Sequence, residues 1–177
     1  MIDPRIFIPI DEIMVDNPIP DGRPGLERYI GPSIAFEMVS QAERSLGVKL
    51  PESYLELLQI SNGGFLRYSF FPTDQKNSWH DGFVEISDIQ GIGYPDGLDS
   101  ELGSKYLCEE WGYPENMVYL SGDGHTGFFL DYRICGPSGE PSVAWLDVEE
   151  EPTVDIQLAA TFSDFLSCLQ ETEPPER

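Results

Sequence analysis

The feature that most limits how this chain can fold is a hairpin signature near its C-terminal end. Gly127 to Arg133 and Ser142 to Glu149 are short runs rich in apolar and aromatic residues. They are joined by Gly136-Pro137-Ser138-Gly139-Glu140-Pro141, a loop made almost entirely of turn residues. In the second run Val143, Trp145 and Asp147 alternate with Ala144, Leu146 and Val148. One face of that strand is therefore wholly apolar, while the other turns acidic toward its end, which is expected to point away from the core. Gly82 to Ile86, Asn116 to Leu120 and Val154 to Leu158 read as further strands, each bounded by Gly, Pro or Asp. No βαβ repeat intervenes, so the sheet is expected to be antiparallel or mixed and the class α+β.

Helical spacing is confined to a few segments. Between Ser33 and Leu46 the apolar positions Ile34, Met38, Val39, Ala42 and Leu46 share one face, and Gly47 follows as a stop. A second helix opens at Pro51, carries Tyr54, Leu57 and Leu58 inward, and ends at Asn62-Gly63-Gly64. Ser104 to Trp111, closed by Gly112 and Pro114, makes a third short helix. The last is opened by Thr161, with Asp164 in capping-box position and Phe162, Phe165, Leu166 and Leu169 as its apolar face. Two N-terminal helices and a C-terminal helix are thus expected to pack on the sheet. Residues 1–24 hold Pro4, Pro9, Pro18, Pro20 and Pro24 and are read as an extended arm lying on the core. Residues 25–170 form the single domain, and 171–177 a polar tail.

Charge narrows the partners. Ten Lys and Arg against 32 Asp and Glu leave a net charge of −22, which disfavours nucleic acid and anionic membranes and favours a basic partner. Solubility alone is the competing account of that acidity. The three cysteines, Cys108, Cys135 and Cys168, include no CxxC pair, so neither a disulfide framework nor a zinc site is indicated. With no signal-like start and no long apolar run, a cytoplasmic protein is expected.

Asp123, His125 and Asp131 form the most reactive-looking group, since imidazole and carboxylates can bind a metal or exchange protons. Their spacing matches no ligand pattern. Gly122-Asp123-Gly124 suits a tight turn in which Asp bonds nearby backbone. Ser121 lacks a nucleophile elbow, and Gly91 to Gly97 lacks the Lys-Ser or Lys-Thr of a phosphate loop, so no catalytic residue, cofactor or metal is assigned. Trp145 reads as core and Trp79, within the polar stretch Asp74 to Asp81, as an exposed contact. Asp147, Glu149, Glu150 and Glu151 form the best local candidate for an acidic contact patch, with a plain solvated surface as the alternative.

Three segments, in order, resemble the SUKH superfamily of Smi/Knr-like proteins. These are Ala42 to Tyr54 running on to Asn62-Gly63-Gly64, then Leu120 to His125 with Phe129 to Arg133, and then Pro141 to Asp147 with the closing helix Thr161 to Leu169. The likeness spans roughly residues 34 to 169, with Gly122, Asp123, Gly124, Asp131 and Trp145 at turn and strand positions of the shared pattern. The resemblance implies the Smi/Knr-like fold and a non-enzymatic, bacterial immunity-type protein that neutralises a basic, nuclease-like toxin by direct contact. A regulatory or scaffolding module, as among the fungal relatives, is the alternative, and a metal-dependent hydrolase using Asp123, His125 and Asp131 a remote one.

Overall fold

The computed structural model describes residues 2–16, 25–80 and 82–173. Its centre is a four-stranded antiparallel sheet in sequential order. The strands are β5 (Met117–Gly122), β6 (Thr126–Asp131), β7 (Ser142–Asp147) and β8 (Val154–Ala159). The loop from Gly136 to Pro141 joins β6 to β7, which pair from Asp131 with Ser142 to Thr126 with Asp147. Two short antiparallel ribbons precede the sheet. In one, β1 (Gly64–Phe65) pairs with β4 (Asp88–Ile89); in the other, β2 (Phe70–Pro72) pairs with β3 (Phe83–Glu85). The fold is α+β, as the patterning requires.

Period-2 alternation gives the sheet two apolar faces, and both are covered. Val118, Leu120, Phe128, Leu130, Val143, Trp145 and Ile156 face the main core. Across it lie Ala42 and Leu46 of α2 (Phe36–Leu46), Tyr54, Leu57 and Leu58 of α3 (Glu52–Ile60), and Phe162 and Phe165 of α5 (Phe162–Cys168). Tyr54 meets Phe162 edge-on at 5.4 Å, and Phe71 stacks on Phe165 at 5.3 Å. Burying each such ring contributes about 1.5–3 kcal/mol. On the opposite face Met117, Tyr119, Phe129, Ala144 and Leu146 pack with Tyr113 beneath α4 (Ser104–Trp111).

The caps follow local chemistry. Gly47 and Gly112 close α2 and α4 in left-handed geometry, at φ 80° and 71°. Thr161 caps α5, its hydroxyl oxygen accepting the Asp164 amide at 3.1 Å and donating to the Asp164 carboxylate at 2.8 Å.

The arm departs from expectation. Instead of running extended, it contains a helix, α1 (Ile10–Asp16), whose first amides bond the carbonyl of Pro9. A proline just ahead of a helix costs no internal hydrogen bond, and Asp11 and Glu12 complement the dipole of the first turn. Before α1, Ile6 is buried in the main core and Phe7 bridges to Leu66. Pro18, Pro20 and Pro24 lie outside the described residues, as do positions 174–177 of the tail. Among the described residues no helix is long and apolar enough to cross a membrane.

Candidate functional site: an aromatic and acidic cleft

Residues 73–80, which follow β2, fold over one end of the main sheet. There they face the Gly122-Asp123-Gly124 turn that joins β5 to β6. The two segments enclose a cleft of about 320 Å³ lined by Asn77, Trp79, His80, Val84, Glu85, Ser87, Ser121, Gly122, Asp123, Thr126, Phe128 and Trp145.

Each wall has a local cause. The Asn77 side chain accepts the amides of Trp79 at 2.9 Å and His80 at 2.8 Å and donates to the Phe83 carbonyl at 2.8 Å. This turn presents Trp79 to solvent at 60% exposure. His80 stacks on Phe83 at 4.4 Å. On the other wall, Asp123 Oδ1 accepts the Thr126 amide at 2.8 Å and its hydroxyl at 3.0 Å. Gly122 and Gly124 hold positive φ. The space a Gly124 side chain would need is filled by the Trp111 ring, and the Gly124 carbonyl accepts the Tyr113 hydroxyl at 2.8 Å. Trp145, only 3% exposed, belongs to the core and touches the cleft from below.

Beneath the cleft, Asp88 accepts hydroxyls from Ser87 at 2.9 Å and Ser121 at 3.1 Å. Burial nevertheless holds its carboxyl above the ordinary aspartate value.

The expected acidic patch divides. Asp147 does not point away from the core: it is 3% exposed, because residues 73–80 cover the end of β7. Its carboxylate accepts the Ser78 hydroxyl and, at 2.9 Å, the Glu149 amide. Glu149, Glu150 and Glu151 are exposed, and Glu149 meets His125 Nδ1 at 3.0 Å. The His125 ring also stands edge-on to Trp111 at 4.6 Å.

Asp123, His125 and Asp131 are not brought together. Asp131 lies at the far end of β6, five residues beyond Thr126 and so about 17 Å away along the strand. There it pairs with Arg133, through Nε at 2.9 Å and Nη2 at 2.7 Å, and Arg133 also grips Asp155 at 2.6 Å. Those carboxylates raise the Arg133 pKa by favouring its charged form. Among the described residues no group of three or more His, Cys, Asp and Glu is placed to hold a metal ion.

Sequence reasoning missed Asn77, Ser78 and Glu85. Asn77 left a usable signal, since an Asn side chain in a polar stretch commonly accepts the backbone amide two residues on. Ser78 left none, because its partner is 69 residues away.

A four-stranded meander clad on both faces by helices, with an aromatic and acidic cleft at one end, defines a small α+β domain. The chain belongs to the SMI1/KNR4 family (SUKH-1), whose family model matches residues 34–168. A comparison with curated proteins finds no match.

Proposed function

We propose that this chain is an immunity-type protein that neutralises a basic, nuclease-like toxin by direct contact in the bacterial cytoplasm. Membership of the SMI1/KNR4 family is consistent with that role. The observation that carries the reading is the pairing of an exposed aromatic anchor with an exposed carboxylate run. Trp79 adjoins Ser78, Glu149 lies two residues past Asp147, and the Ser78–Asp147 hydrogen bond holds their two loops together. Tryptophan is enriched among residues that dominate interface energy, and carboxylates complement the Lys and Arg with which a nuclease grips phosphate. The net charge of −22 extends that complementarity and speeds encounter with a basic partner.

Co-expression with the product of a neighbouring basic toxin gene tests the proposal. A stable complex and protected cells are expected. No complex and no protection would refute it.

A further inference from the structure

We propose that the cleft between residues 73–80 and the Gly122-Asp123-Gly124 turn receives a single arginine side chain of the basic partner. The inference rests on the toxin-binding reading above and names the chemistry recognised at that site. Three features select arginine. First, the walls carry aromatic rings, Trp79 at the rim and Trp145 and Phe128 deeper, on which a planar guanidinium can stack. Second, the cleft is lined by the carboxylates of Glu85 and Asp123, and no lysine or arginine is among its lining residues, so phosphate and carboxylate ligands meet unfavourable charge. Third, a volume of about 320 Å³ is at the small end of the range for ligand clefts, which suits one long side chain.

The hydrogen bonds leave the necessary acceptors open. Asp123 uses Oδ1 on Thr126, while its Oδ2 makes no hydrogen bond among the described residues. The Glu85 carboxylate forms no ion pair among the described residues. A guanidinium with several donors in a fixed plane can address two carboxylates and a ring at once, which an ammonium cannot. Asn77 is the positioning residue, since its side chain sets the turn that carries Trp79.

The test uses the full chain and a blocked tripeptide, acetyl-Gly-Arg-Gly-amide, beside its citrulline and lysine counterparts. Binding is followed by NMR at the Trp79 indole N–H and the backbone amides of Ser121 and Gly122. The arginine peptide is expected to produce saturable shifts confined to the cleft, with citrulline at least about tenfold weaker and lysine intermediate. Glu85→Gln, Asp123→Asn and Trp79→Ala are each expected to weaken it by about threefold or more, Asn retaining the oxygen that Thr126 needs. Glu52→Gln and Glu101→Gln, exposed carboxylates that do not line the cleft, should change it by less than about twofold, the residual long-range field being screened.

Equal binding of citrulline, shifts centred on Glu149 to Glu151, or no shift at the cleft residues each overturns the inference. The two proposals fail separately. A toxin complex that forms normally while the peptide ignores the cleft defeats only the arginine site; peptide binding without any toxin complex or protection defeats only the toxin-binding reading.

Discussion

The hydroxyl of Ser78 donates to the buried carboxylate of Asp147, 69 residues further along the chain. That bond couples the loop carrying Trp79 to the turn carrying Glu149, Glu150 and Glu151. Removing the donor leaves Asp147 with the Glu149 amide as its remaining hydrogen-bond donor among the described residues. Ser78→Ala is therefore expected to cost about 1–3 kcal/mol in urea unfolding and to broaden the Trp79 indole resonance. A loss below about 0.5 kcal/mol, the range of ordinary surface changes, would show that the bond does not hold the loop.

A second prediction concerns Asn62, buried where α3 gives way to β1. Its Nδ2 donates to the carbonyls of Pro32 and Ile92, both at 2.8 Å, and its Oδ1 accepts the Ile92 amide at 2.9 Å. The side chain thus staples the segment before α2 to the glycine-rich loop from Gly91 to Gly97. Asn62→Ala should cost roughly 2–4 kcal/mol, because it orphans buried backbone groups as well as losing bonds. Hydrogen exchange at the Ile92 amide should accelerate more than at Phe129, deep in the sheet. Unchanged protection at Ile92 would contradict the role.

The pH dependence of stability has a contributor in Asp88, whose carboxyl burial raises above the ordinary 3.8 despite the bonds from Ser87 and Ser121. A raised folded-state value means that the fold favours the protonated form. The stability from this group is fully present below pH 3.8 and is lost as pH rises through the raised value. Asp88→Asn keeps an oxygen for both serines and removes the buried charge. It should exceed the parent in stability at pH 7, with the difference narrowing as the pH falls through the raised value and levelling off below 3.8. Urea titrations across pH measure this, and an Asn variant weaker than the parent at pH 7 would count against it.

Burial pushes the Cys108 thiol up to about 11, whereas Cys135 and Cys168 are exposed. At pH 8 about one Cys108 thiol in a thousand is ionised, and the thiolate is the nucleophile. Iodoacetamide should label Cys135 and Cys168 in the native protein and reach Cys108 only under unfolding conditions, as read by peptide mass spectrometry. Early labelling of Cys108 would show that α4 opens readily.

How much of this was legible in the sequence depends on the range of the interaction. Ser104 to Trp111, the hairpin around Gly136 to Pro141 and the Thr161–Asp164 cap were readable because each is set by residues only a few positions apart. The short strands β1, β2 and β4 escaped because two or three residues carry no period. The helix Ile10–Asp16 was hidden by counting prolines without asking where they fall, since Pro9 precedes the helix and does not interrupt it. For the site, Trp79 and Glu149 to Glu151 could be singled out from local composition. Their juxtaposition, and the burial of Asp147, depend on Ser78 and on a loop crossing that no local pattern encodes.

That juxtaposition allows the two kinds of contact to be separated kinetically. Glu149, Glu150 and Glu151 are exposed, so their charge should act chiefly on encounter. Replacing all three with Gln should leave stability within about 0.5 kcal/mol. It should also slow association with a basic toxin by roughly tenfold at low salt and flatten the dependence of that rate on ionic strength. Trp79→Ala should instead act on dissociation, with a loss of about 2 kcal/mol or more if the ring is buried in the complex. Surface plasmon resonance across a salt series separates the two effects. An association rate unmoved by the triple Gln variant would locate the recognition charge elsewhere on this acidic surface, and a dissociation rate unmoved by Trp79→Ala would remove the ring from the interface.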